Sequence, residues 1–212
     1  MINRAAFLLV ATSLTGLLNP VWAAPSDQNL PNRLHLEVAV DPEAVLTPEA
    51  EIRISALSES DRQEFLETQL PTRIVINAST VSIAAPLESG SRNLTSSSIK
   101  TCWLATIRGE GRNAVGATLY TFYHVASWCG QNDVVLSSAV VDAGGETSSL
   151  GWDYVGVINK SAGIISNRAR SYSQTKFTFG SGGWVIQSPT PCLRFTGGPN
   201  GGVGVAHACG IY

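Results

Sequence analysis

The chain has 212 residues, 44% hydrophobic and 14% charged, with 14 basic against 16 acidic side chains. That balance excludes a disordered polyelectrolyte, and the sequence lacks the basic cluster that nucleic-acid binding needs. The length allows one domain or a small pair.

Residues 1–24 read as a secretory signal. Arg4 precedes an apolar run over 5–18, Asn19-Pro20 ends it, and Val21-Trp22-Ala23 places small residues at the peptidase-read positions. The run is shorter than the roughly 20 residues that span a bilayer. Cleavage after Ala23 or Ala24 is expected, giving a secreted chain with no membrane span. Charge then divides unevenly: 24–100 holds 6 basic and 11 acidic side chains, and 101–212 holds 7 and 5.

Residues 25–85 read as a small α+β domain or a propeptide. Leu34, Leu36, Val38 and Val40 alternate with His35, Glu37 and Ala39, which predicts a half-buried strand. Ile52 and Ile54 alternate with Arg53 and Ser55 and predict a second one. Ser60 with Gln63 has capping-box spacing, so 61–70 is expected to be a helix, with Phe65, Leu66 and Leu70 on its apolar face. Pro71 stops it. Ile74–Ile76 and Val81–Ile83 predict two more short strands. Residues 86–100 are Ser-rich and read as a linker.

From 101 to 212 the pattern is β throughout. Gly109-Glu110-Gly111 is expected to turn, and 115–124 to form a central strand with apolar bulk on both faces. Strands are also expected over Val134–Val141, Trp152–Ile158 with a break at Gly156, Phe177–Phe179, Trp184–Ile186, Leu193–Thr196 and Val203–Ala208. Ala143-Gly144-Gly145 is expected to turn, and Gly180-Ser181-Gly182-Gly183 to form a loop. The fold class is therefore mainly β: an antiparallel sandwich or barrel with two disulfides, preceded by a small α+β segment.

All four cysteines lie in this second part. Export favours disulfides, and the wide spacing is unlike the close pairs of zinc sites, so no metal or cofactor is expected. Three pairings are possible. If Asn200-Gly201 forms a two-residue type I′ turn, Cys192 and Cys209 face each other at a non-hydrogen-bonded position. Cys102 and Cys129 are then left to pair.

Trp103, Gly116, Tyr120-x-Phe122, Trp128-Cys129 and Gly151-Trp152-x-Tyr154-x-Gly156 carry a resemblance. Their order resembles a loosely defined group of small secreted β-rich proteins of unknown function from actinobacteria. The resemblance covers roughly 102–210. It implies secretion, a disulfide and a β-rich fold, and no activity.

No catalytic motif stands out. His124 and His207 are the candidates for a hydrolase base, with Asp142 or Asp153 to orient either. No Gly-x-Ser-x-Gly elbow accompanies them. Trp103, Trp128, Trp152 and Trp184 are the weak binding candidates, since Trp rings suit sugar faces; packing in the core is the competing reading. The leading expectation is a non-enzymatic extracellular domain that binds an external ligand or protein, without nucleic acid. An exported hydrolase, or a toxin or inhibitor made as a proprotein, is the alternative.

Overall fold

In the computed structural model, which describes residues 34–44, 46–83 and 100–212, ten strands form two antiparallel sheets. The first sheet follows chain order: β1 (Leu34–Ala39), β2 (Arg73–Ile83), β3 (Thr101–Arg112), β4 (Thr118–Gln131) and β5 (Val134–Thr147). The second has β6 (Trp152–Ile165), β7 (Arg168–Ser181), β9 (Cys192–Gly197) and β10 (Val203–Ala206) side by side, with β8 (Trp184–Gln187) on the end of β7. The sandwich and both expected disulfides are present. The expected signal segment 1–24 and the 86–99 stretch of the expected linker lie outside the described residues.

The contrast in composition near residue 100 does not divide the fold. β2 pairs along its whole length with β3, from Arg73 opposite Arg112 to Ile83 opposite Cys102. Ile74, Ile76 and Ala78 enter the same core as Ala105, Ile107 and the aromatic residues of β4.

The expected strand around Ile52 and Ile54 is instead α1 (Pro48–Ser55). The Thr47 side chain accepts from the Ala50 backbone N–H, and Pro48 stands in the first turn, where its missing donor costs nothing. Ala50 and Ile54, four residues apart, are buried while Ile52 is exposed, so the relevant period is that of a helix. The second helix, α2 (Glu59–Gln69), starts two residues earlier than the Ser60 box implies, because Ser58 caps the Asp61 N–H. Phe65 and Leu66 pack against the core and Leu70 is buried, as the apolar face predicted. β2 also runs unbroken where two short strands were expected.

Two expected turns are strand interior. Gly109 and Gly111 sit in β3 opposite Phe122 and Tyr120, and a side chain at either glycine would overlap the facing ring. Gly144 and Gly145 sit in β5, against Tyr123 and Phe177. These glycines make room for rings rather than bend the chain. The turn before β4 is Asn113–Ala117, which leaves Val115 exposed and moves the strand start to Thr118.

The last hairpin also differs from expectation. β9 and β10 pair with Val205 opposite Phe195, one residue out of the predicted register. Its loop has three residues, Pro199-Asn200-Gly201. The Gly198 carbonyl accepts from Gly201, the Gly202 carbonyl accepts from Gly198, and Gly201 has φ +83°. This is a type I turn closed by a left-handed residue, and Pro199 occupies a position that needs no donor. Cys192–Cys209 forms nonetheless, because Cys209 lies beyond the end of β10, with Cα atoms 5.2 Å apart. Cys102 and Cys129 are directly opposed in β3 and β4, with Cα atoms 4.0 Å apart.

Replacing Gly109 with Ala should lower stability by about 1–3 kcal/mol through overpacking against Phe122. Urea denaturation measures it, and an unchanged midpoint would show that the ring does not lie over Gly109.

Candidate functional site

The inward face of β4 reads Tyr120, Phe122, His124, Ala126, Trp128, all buried. Its partner across the core is β7, whose inward residues near the middle are Ser171 and Ser173, also buried. The fully buried His124 ring joins the sheets: Nε2 is 2.8 Å from Ser171 Oγ and Nδ1 is 3.0 Å from Ser173 Oγ. A neutral imidazole donates through one nitrogen and accepts through the other, so both ring atoms are satisfied. Burial lowers this imidazole to about 4. No solvent reaches it, and neither proposed orienting acid is bonded to it. Asp142 accepts from Tyr123 on the outer face of the first sheet (3.2 Å), and Asp153 is exposed on β6. The arrangement is a polar clamp across the core.

The four candidate tryptophans form no common platform. Trp128 and Trp152 are buried. Trp103 stacks on Trp128 with ring centroids 5.4 Å apart, and the Trp128 indole donates to the Gly198 carbonyl (2.9 Å). Both rings lie on the opposite face of the sheet from the Cys102–Cys129 bridge that pairs beside them. Trp152 stacks on Phe179 at 5.1 Å. Trp184 is half-buried on β8, with the Arg53 guanidinium 4.8 Å above its ring. Core packing accounts for three of the four, and Arg53 covers the last.

His207 is placed differently. It follows β10 on the inward side and lines an open-mouthed cavity of about 170 Å³ with Val40, Pro71, Ile74, Tyr120, Pro189, Thr190 and Pro191. The cavity lies at the end of the sandwich where β4 begins. Its proline wall is fixed to β7: the Pro189 carbonyl accepts from Phe177 N–H and the Pro191 carbonyl from Thr175 N–H, both at 3.0 Å. Tyr120 is held by stacking on Phe177 at 4.5 Å and by Trp152 at 4.9 Å. Three prolines supply apolar surface without N–H donors. Against that wall the His207 Nε2 atom is buried and has no hydrogen-bond partner. Burial lowers the His207 ring and raises the Tyr120 phenol, so both are neutral near pH 7.

Sequence reasoning singled out His207 only as a catalytic base. Tyr120 entered it as part of the expected central strand and of the resemblance, and the Pro189–Pro191 wall was missed. The Pro-Thr-Pro run before Cys192 was the available signal. Two other hollows have different character. A wide one of about 490 Å³ lies over the outer face at His35, Asn77, Thr106 and Arg108, where His35 and Asn77 already bond each other (2.9 Å). A small one of about 100 Å³ beside α1 contains the Arg62–Glu43 pair. Among the described residues no group of three His, Cys, Asp or Glu is placed to hold a metal ion, and no helix is long and apolar enough to cross a membrane. No family model, curated protein or solved structure matches the chain, so the cavity is read from its own chemistry.

The clamp has a pH signature. Its folded pKa of about 4 lies below the unfolded value of 6.5. Between those values the unfolded chain takes up a proton that the folded chain refuses. The contribution is complete above 6.5 and is lost as pH falls toward 4, by about 3 kcal/mol in total. The triple variant His124→Leu, Ser171→Ala, Ser173→Ala should remove this acid slope in chemical denaturation between pH 4 and 7. A slope of the same size in the variant would assign it to other groups.

Proposed function

We propose that this is a secreted, non-enzymatic binding domain whose cavity at Tyr120 and His207 receives a small apolar group of an extracellular ligand. The unpartnered His207 Nε2 carries this reading. A buried polar atom without a partner costs about 1–3 kcal/mol, and a ligand hydroxyl or amide would recover that cost once the ring turned Nε2 into the cavity. The size supports a ring or branched group, since a dry cavity of about 150 Å³ holds benzene. Rigid proline walls favour binding because little ordering is required. Secretion is supported by the apolar leader and by two disulfides with no free cysteine among the described residues.

Phenol is a suitable probe, since it can donate to or accept from either tautomer of His207. Titrated into isotope-labelled protein, it should shift the His207 ring and the Tyr120 resonances saturably. His207→Leu should abolish saturation while leaving melting unchanged within a few degrees. Absence of saturable shifts in the wild-type protein would overturn the reading.

Secretion has its own test. Protein recovered from culture medium should begin at residue 24 or 25 and should gain the mass of four hydrogens on reduction, from the two disulfides. A retained leader would overturn export by cleavage. If the chain is also cut within 86–99, as the propeptide reading requires, the two pieces should remain together until unfolded, because β2 and β3 share one ladder.

A further inference from the structure

β5 and β6 are each one edge of their sheets, with β1 and β10 at the opposite edges, and lie next to each other along one side of the sandwich. Each contains two register shifts, and each shift leaves one residue unpaired. In β5 these are Leu136 and Val141; in β6 they are Val155 and Ile158. All four are aliphatic. With Val134 and Ile164 on the same strands, their exposures run from 45% to 56%.

Edge strands are usually protected by bulges together with lysine or proline. Here the bulges are present and interrupt the straight edge that another strand would need. What they push outward is apolar. Across 134–141 and 154–165 the only charged side chain is Lys160. Six half-exposed aliphatic side chains amount to roughly 500 Å², near the top of the range for the largest patch on a monomer and over half of the about 800 Å² per partner in a stable interface. Depletion of charge is the mark of an interface core. A lipid surface suits the ridge less well, because Asp142, Glu146 and Asp153 on these strands would repel anionic headgroups.

The ridge is also self-complementary in height. Val141 stands six residues before Thr147, where β5 ends, and Ile158 stands six after Trp152, where β6 begins. A two-fold axis parallel to the strands lays β5 of one copy on β6 of the other, with Val141 of each facing Ile158 of its mate. We infer that this bulged ridge is the interface of a symmetric homodimer of the chain, formed by side-chain packing and not by strand addition. It is independent of the cavity, which lies among β1, β2, β4 and the 189–191 segment.

Sedimentation velocity of the secreted protein from low micromolar to several hundred micromolar tests it. The wild-type chain should move from monomer to dimer across that range. Val141→Asp and Ile158→Lys, both at exposed positions, should each weaken association by on the order of tenfold or more with unchanged melting. Mixing the two variants should restore a dimer, since Asp then meets Lys at the shared contact. Should either variant misfold, Leu136→Lys reads the same surface. A wild-type monomer throughout, dimers indifferent to these changes, a mixture that stays monomeric, or uptake by anionic vesicles in place of self-association would each overturn the inference.

Discussion

The contact between the inward faces of β4 and β7 governs the molecule. Tyr120 stacks on Phe177, and Trp152, Phe179 and Phe122 pack around them. Sheets in a sandwich pack about 10 Å apart, too close for bulky rings at every facing position. The space is found sideways: where β4 presents Tyr120 and Phe122, its neighbours on β3 are Gly111 and Gly109, whereas Trp128 stacks on Trp103. At mid-strand the rings give way to His124 and two serines, smaller groups held by hydrogen bonds. A shift of one residue would turn every one of these side chains to the wrong face.

The two ends of the sandwich differ in consequence. At one end three hairpin tips are tied together. Asn167 donates to the Asp133 carbonyl and accepts from Val135 N–H, and Asn200 donates to the Asp133 side chain. The Trp103 and Trp128 rings fill the space beside Gly201 and Gly197. At the other end, α1 is fastened to β8 through Thr47, and α2 brings Phe65 to Phe179. These helices cover much of the opening. Between Pro71 and the Pro189–Pro191 segment it stays uncovered, and there His207 keeps a nitrogen without a partner.

Much of this was legible in the sequence. Alternation identified β1 and the central character of β4, and an even set of widely spaced cysteines pointed to the disulfides. The failures share a cause. Glycine was read as punctuation at 109, 111, 144 and 145, where tertiary packing requires a missing side chain; nothing local separates the two uses. Ile52 and Ile54 gave a period of two in a window too short to show that Ala50 and Ile54 formed the buried pair. The predicted 192–209 pairing was right although the register behind it was one residue off, since Cys209 had already left the ladder. The cavity was invisible because its lining comes from five separate stretches, and the significance of His207 is a lack of partners.

Strand order has a further consequence, in kinetics. Every neighbour in the first sheet is also next in sequence along the strands, and the second sheet departs from this only where β9 returns to β7 past the short β8. Sandwiches are generally slow to form because distant segments must meet before any contact stabilises them. A succession of hairpins avoids most of that delay: each new strand docks on the one just made. The largest loop to close lies between β1 and β2, where residues 40–72, with α1 and α2 among them, separate the paired strands.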